Sequence, residues 1–195
     1  MKKYCLATVF VFGVLFQVYA QTRPFIGYDQ VAWGASVEDV RNAYNLGNDI
    51  VLAPGNTNNT ADSNIGILTQ ENVSESITRR TFFFNKWRTG SYQLYRVTVT
   101  YRNNTDANRD TLLGLLQQRY GTRTNYEVQS GQTWTSNYTD FVSTFGNFAP
   151  DIEVQLQHRV GRDNVFGTWI DTASINVVYT WKRFRDEYLA SRLGL

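Results

Sequence analysis

Cysteine is almost missing from this chain, and so is histidine. Each occurs once in 195 residues, and proline occurs three times. The single cysteine, Cys5, stands ahead of an apolar run at residues 6–19, "LATVFVFGVLFQVY". That position belongs to a leader, so no disulfide, thiolate nucleophile or cysteine metal site is expected in the body of the protein. One histidine, His158, cannot build a His-rich metal centre, and it falls on the apolar side of an alternating run, which marks a structural residue. There is no G-x-S-x-G elbow, no calcium loop and no phosphate-cradling glycine loop. The sequence therefore offers no catalytic, cofactor-binding or metal-ligating set.

Lysine is scarce too. Beyond Lys2 and Lys3 only Lys86 and Lys182 occur, and every other cation is arginine. Without the two leader lysines the basic residues equal the 17 acidic ones. A balanced charge argues against nucleic acid as a partner, because such binding rests on neutralising phosphates.

What is present at the N-terminus reads as a secretory signal. Lys2 and Lys3 form the positive region, residues 6–19 the apolar one, and Val18 and Ala20 the small-residue cleavage positions. The run is short for a membrane span. Residues 1–20 are thus expected to be a signal peptide, the protein secreted or periplasmic, and no transmembrane segment is expected after cleavage.

Three helices and a series of strands follow. Ser36 caps a helix over 36–46, with Val37, Val40 and Tyr44 on one face and Gly47 as its stop. A second helix runs from Asp106 to Tyr120, capped by Thr105 or Asp106, striped by Leu112, Leu113 and Leu116, and ended by Gly121. Gly114 within it leaves room for close approach to a sheet. A third helix spans 182–193. Residues 53–64, "APGNTNNTADSN", read as a loop. Strands are expected at 64–70, 75–87, 91–103, 122–129, 133–145, 151–160 and 168–181. In 91–103, Tyr95, Val97, Val99 and Tyr101 alternate with polar residues, the pattern of a sheet covered on one side.

The order of elements repeats. A helix closed by Tyr and Gly precedes several strands, and each set ends on a tyrosine: "VTVTY" at 97–101 and "INVVY" at 175–179. The fold expected is α+β, an antiparallel sheet with helices packed on one face. Its halves would be 21–104 and 105–195, either as a duplicated helix-then-strands module or as one continuous domain.

The stretches "WGASVEDVRNAYNLG", "LLGLLQQRYG", "TWTSNYTDF" and "INVVYT" together resemble small exported bacterial α+β proteins of the outer-membrane-assembly lipoprotein (small protein A) and β-lactamase-inhibitor-like type. The resemblance touches about a third of the chain and carries over no binding residue. It implies proteins that bind other proteins or assemble complexes, without catalysis. No cysteine follows the apolar run, so the lipid anchor of the assembly lipoproteins is not implied.

Aromatic residues are abundant, with five Trp, twelve Tyr and twelve Phe. Trp87, between Lys86 and Arg88 near a turn, stands out as a contact site, with sheet cover as the plainer reading. Asp151 and Glu153 share one strand face, as a carboxylate pair or as a solvated edge. The function expected is an exported, non-catalytic protein-binding or envelope-assembly module using strand edges and aromatic loop tips. The alternatives are a carbohydrate- or cell-wall-binding protein and a hydrolase with scattered carboxylates.

Overall fold

The computed structural model describes residues 27–47, 52–57, 60–146 and 151–194; the expected signal peptide lies outside them. A small ribbon of β1 (Gly27–Tyr28) and β2 (Val31–Ala32) leads into helix α1 (Val37–Tyr44). Strands β3 (Ala53–Thr57), β4 (Thr60–Glu71), β5 (Ile77–Asn85) and β6 (Gln93–Tyr101) follow. Helix α2 (Asp106–Tyr120) then precedes β7 (Asn125–Gln132), β8 (Ser136–Phe145), β9 (Ile152–Val165) and β10 (Thr168–Trp181), and α3 (Lys182–Leu193) closes the chain.

The helix starts are set by their caps. Ser36 Oγ accepts from the Asp39 N–H at 3.1 Å while Asp39 Oδ2 accepts from the Ser36 N–H at 3.0 Å, a reciprocal box. Thr105 Oγ1 accepts from the Asn108 N–H at 3.3 Å. The stop of α1 is Asn45, at φ +50°, two residues before the expected glycine. Asparagine is the commonest non-glycine residue in that conformation. Gly114 lies on the exposed side of α2 with nothing near its Cβ position, so it does not bring helix and sheet together.

The eight long strands form one open antiparallel sheet in the order β3-β4-β5-β6-β10-β9-β8-β7. Each half is a helix followed by a four-stranded meander, and the meanders join last strand to last strand. At the junction Val99 lies opposite Val177, Val97 opposite Tyr179 and Tyr101 opposite Ile175. The two tyrosine-ended strands thus pair about an approximate two-fold axis. The stretch 53–64 is a correction: apart from residues 58–59, which lie outside the described ones, it belongs to β3 and the start of β4. An edge strand needs one hydrogen-bonded neighbour and no buried face, so its polar composition conceals it.

One face of the sheet carries the core. Under α1, Val40 meets Leu68, Phe82, Phe84, Leu94, Val97 and Val99. Under α2, Leu112, Leu116 and Tyr120 meet Phe145, Val154, Leu156, Ile175 and Val177. Trp33, Tyr101 and Tyr179 pack against both groups and weld them. Burying each such aliphatic or aromatic side chain contributes about 1.5–3 kcal/mol. The alternation expected along β6 breaks at Tyr95: Phe83 pairs with Arg96 and Phe84 with Leu94, so Tyr95 is the extra residue of a bulge and Leu94 takes the core position.

The α+β antiparallel architecture is as expected, and its helices divide. α1 and α2 share the core face. α3 reaches the opposite one: Arg185 bonds Glu153 at 2.5 Å, and Glu153 lies between Ile152 and Val154, which point to the core. Phe184, 1% exposed, packs near Trp181 and Tyr95, with ring centroids at 5.3 and 5.9 Å. The aromatic end of that face needs cover, and the chain leaving β10 supplies it.

Candidate functional site

The second meander is longer than the first. β9 and β10 have 14 residues each, against nine in β5 and β6. The surplus projects as a hairpin closed by two residues, Phe166 and Gly167, at φ +50° and +87°. Both are left-handed, as the tight turn that matches strand twist requires. The Gly167 N–H donates to Asn164 Oδ1 at 2.8 Å. Alongside it, β7 and β8 turn through Trp134 and Thr135, closed by the Thr133 N–H on the Ser136 oxygen at 2.6 Å.

Pairing of β8 with β9 sets the two tips side by side. Ser136 lies opposite Asp163 and donates from Oγ to its Oδ1 at 2.8 Å, while the Asn164 N–H donates to the Thr135 oxygen at 2.8 Å. The tips are locked to each other, and their apolar side chains face solvent. Trp134 is 97% exposed and Phe166 103%, with Val165, Trp169 and Ile170 about half exposed behind them. The nearby charges are spent internally: Arg162 on Asp171 at 2.7 Å, and Arg159 on both oxygens of Asp140 at 2.7 Å.

The residues singled out from the sequence make contacts within the chain. Trp87 packs its ring against Tyr188 and Phe184 of α3, at 5.8 and 6.4 Å. Arg88 pairs with Glu187 at 3.2 Å, and Lys86 Nζ stands 5.4 Å from the Tyr92 ring. All three therefore serve contacts within the chain, and Trp87 keeps a partly exposed edge. Trp87 covers an end of the sheet while Trp134 is free. "VFGT" sets an aromatic residue where a two-residue turn favours Asn, a signal of the Phe166 tip; Trp134 falls within the strand expected at 133–145 and lies instead in the turn before β8.

The other polar candidates do not converge. Glu153 is bound to Arg185, and the Asp151 backbone oxygen accepts from the Lys182 N–H. His158 is 2% exposed and neither ring nitrogen has a hydrogen-bond partner; Asp106 is the nearest carboxylate, at 3.9 Å. Burial and then Arg109 lower its pKa, against the pull of Asp106 and Asp110. Among the described residues no cluster of His, Cys, Asp or Glu could hold a metal, and no helix is long and apolar enough to cross a membrane.

The face opposite α2 forms a polar trough of about 460 Å3, floored by Gln155, Gln157, Ser174 and Asn176 and flanked by Glu127, Asp140 and Arg159. No family model matches this chain, and neither a curated protein nor a solved structure matches it.

Proposed function

We propose that this chain is an exported, non-catalytic protein-binding or envelope-assembly module that docks through its paired hairpin tips. One observation carries the reading: a tryptophan and a phenylalanine, both essentially fully exposed, stand on two turns that are bonded to each other. Leaving a Phe-sized side chain in water forgoes about 1.5–3 kcal/mol of burial. Phe166 also holds a left-handed backbone, which costs an ordinary residue roughly 1–2 kcal/mol. Exposed tryptophan and phenylalanine on two joined turns, with the neighbouring charges paired among themselves, are the kind of residues that anchor a protein hot spot. The helix-then-meander order in both halves is the architecture that the likeness to assembly and inhibitor-like proteins implies, and we extend their non-catalytic role to this chain as part of the proposal. Capture from envelope extract tests it. The wild-type chain should retain a partner that Trp134→Ser and Phe166→Asn each lose at least tenfold; equal retention by all three would remove the tips from the interface.

A second reading has its own support. The trough is lined by amides and a hydroxyl, its glutamines bonded in a ladder, Gln157 to Gln155 and Gln155 to Glu153, and the donor and acceptor capacity left over suits a hydroxyl-rich ligand, so cell-wall or glycan binding is its alternative. Sedimentation with purified cell wall, compared between the wild type and Gln157→Leu, decides it: no binding by either chain excludes this reading.

A further inference from the structure

The two edges of the sheet are built differently. β3 carries Pro54 and a register shift between Pro54 and Gly55. A proline and a bulge are two devices by which an edge strand resists pairing. β7 has neither. It runs in unbroken register against β8 from Asn125 to Gln132, contains no proline or lysine, and has no described strand on its outer side. Tyr126 and Val128 lie opposite Ser143 and Phe141, on the core face of the sheet, yet they stay 47% and 52% exposed. Such an edge, regular, unprotected and apolar on one side, is a template for another strand.

The sequence of β7 complements itself in the antiparallel sense. An axis at Val128 sets the two Val128 side chains opposite each other. It sets Glu127 opposite Gln129 and Tyr126 opposite Ser130. On one face valine then meets valine and each tyrosine ring lies across a small serine, and on the other a carboxylate meets an amide. An axis at Glu127 would oppose two carboxylates, which destabilises a cross-strand pair. The chain already joins its own meanders in this manner, about the Val99 and Val177 pair.

We propose that β7 pairs antiparallel with β7 of a second copy of this chain about a two-fold axis at Val128, making one continuous sheet from two. Reversal of strand direction across the axis sends the hairpin tips of the two copies to opposite ends. The pairing does not depend on what the tips bind.

Sedimentation velocity of the chain purified after export tests the proposal at about 100 μM, where a micromolar self-affinity is nearly saturated. The wild type should run at twice the monomer mass. Val128→Lys should run as a monomer with an unchanged circular dichroism spectrum, and Trp134→Ser should remain a dimer. With Cys5 replaced by Ser, Val128→Cys should give a disulfide-linked dimer on mild oxidation, since residues directly opposite stand about 5.5 Å apart. Gln132→Cys should not, because its two copies would lie about 27 Å apart along the strands. A monomeric wild type, a dimer that Val128→Lys leaves intact, or equal cross-linking at both positions would overturn the pairing. A monomeric wild type would leave the edge to a strand of another protein.

Discussion

The guanidinium of Arg159 lies 4.1 Å from the centre of the Tyr138 ring, and Asp140 holds it there through two hydrogen bonds. Tyr138 itself sits in register between two glycines, Gly131 on β7 and Gly161 on β9. Its ring leans over Gly131, and its backbone presses on Gly161. An aromatic ring covering glycines in this way pins the register of the strands that carry the tips.

The two glycines should therefore differ in tolerance. A Cβ at Gly161 would overlap the backbone oxygen of Asn137 and crowd Tyr138 Cα, neither of which can swing away. Gly161→Ala should cost about 1–3 kcal/mol, the usual range for overpacking. At Gly131 the obstacle is the far end of the tyrosine ring, which can rotate, so Gly131→Ala should cost less. Urea unfolding of both variants checks this, and a larger loss at Gly131 would contradict it.

Phe166→Asn should raise stability while weakening partner capture. Asparagine tolerates the left-handed conformation at φ +50° better than phenylalanine, and the phenylalanine ring makes no buried contact to lose. A gain of about 1 kcal/mol in thermal or denaturant unfolding is expected. A loss of stability would mean that the ring packs in the free protein.

His158 should make the fold sensitive to mild acid. Its pKa in the folded chain lies below the ordinary 6.5, through burial first and Arg109 second. The groups facing it from α2 are Asp106, Arg109 and Asp110, and Arg123 and Tyr126 border the same cleft. The unfolded chain takes up the proton near pH 6.5 and the folded chain only at lower pH. The stability it contributes is thus fully present above 6.5 and is lost as pH falls through the lowered folded value. The slope cannot exceed about 1.4 kcal/mol per pH unit for one proton. His158→Leu removes a buried imidazole that has no hydrogen-bond partner, so it should flatten this part of the profile and gain about 1 kcal/mol at pH 7. Denaturant midpoints between pH 5 and 8 for both chains measure it, and parallel profiles would show the dependence to arise elsewhere.

Trp87→Ala should loosen α3 and leave partner capture intact. The ring packs on Phe184 and Tyr188, so its removal should cost about 2 kcal/mol, below the range for a fully buried tryptophan because part of the ring is exposed. Unfolding curves and the same capture assay report the two effects separately. Lost capture in a folded Trp87→Ala chain would return the contact site to Lys86, Trp87 and Arg88.

Local rules decided much of this protein from the sequence alone. The caps at Ser36 and Thr105, the glycine stop at Gly121 and the alternation through Val97–Tyr101 and Ile175–Tyr179 act within a few residues, and each appears where the pattern puts it. The edge strand β3 was not legible, because a strand bonded on one side can be as polar as a loop. Trp87 and Trp134 could not be told apart either, since both flank turns in polar surroundings. What separates them is α3, which crosses to the far face and packs against one ring, and the pairing of β8 with β9, which carries the other beyond any helix. Exposure is a property of what lies across from a side chain, and that partner comes from a distant part of the chain. The sequence determined the elements and their repeated order; tertiary structure alone decided which aromatic rings reach water and which edge of the sheet stands open.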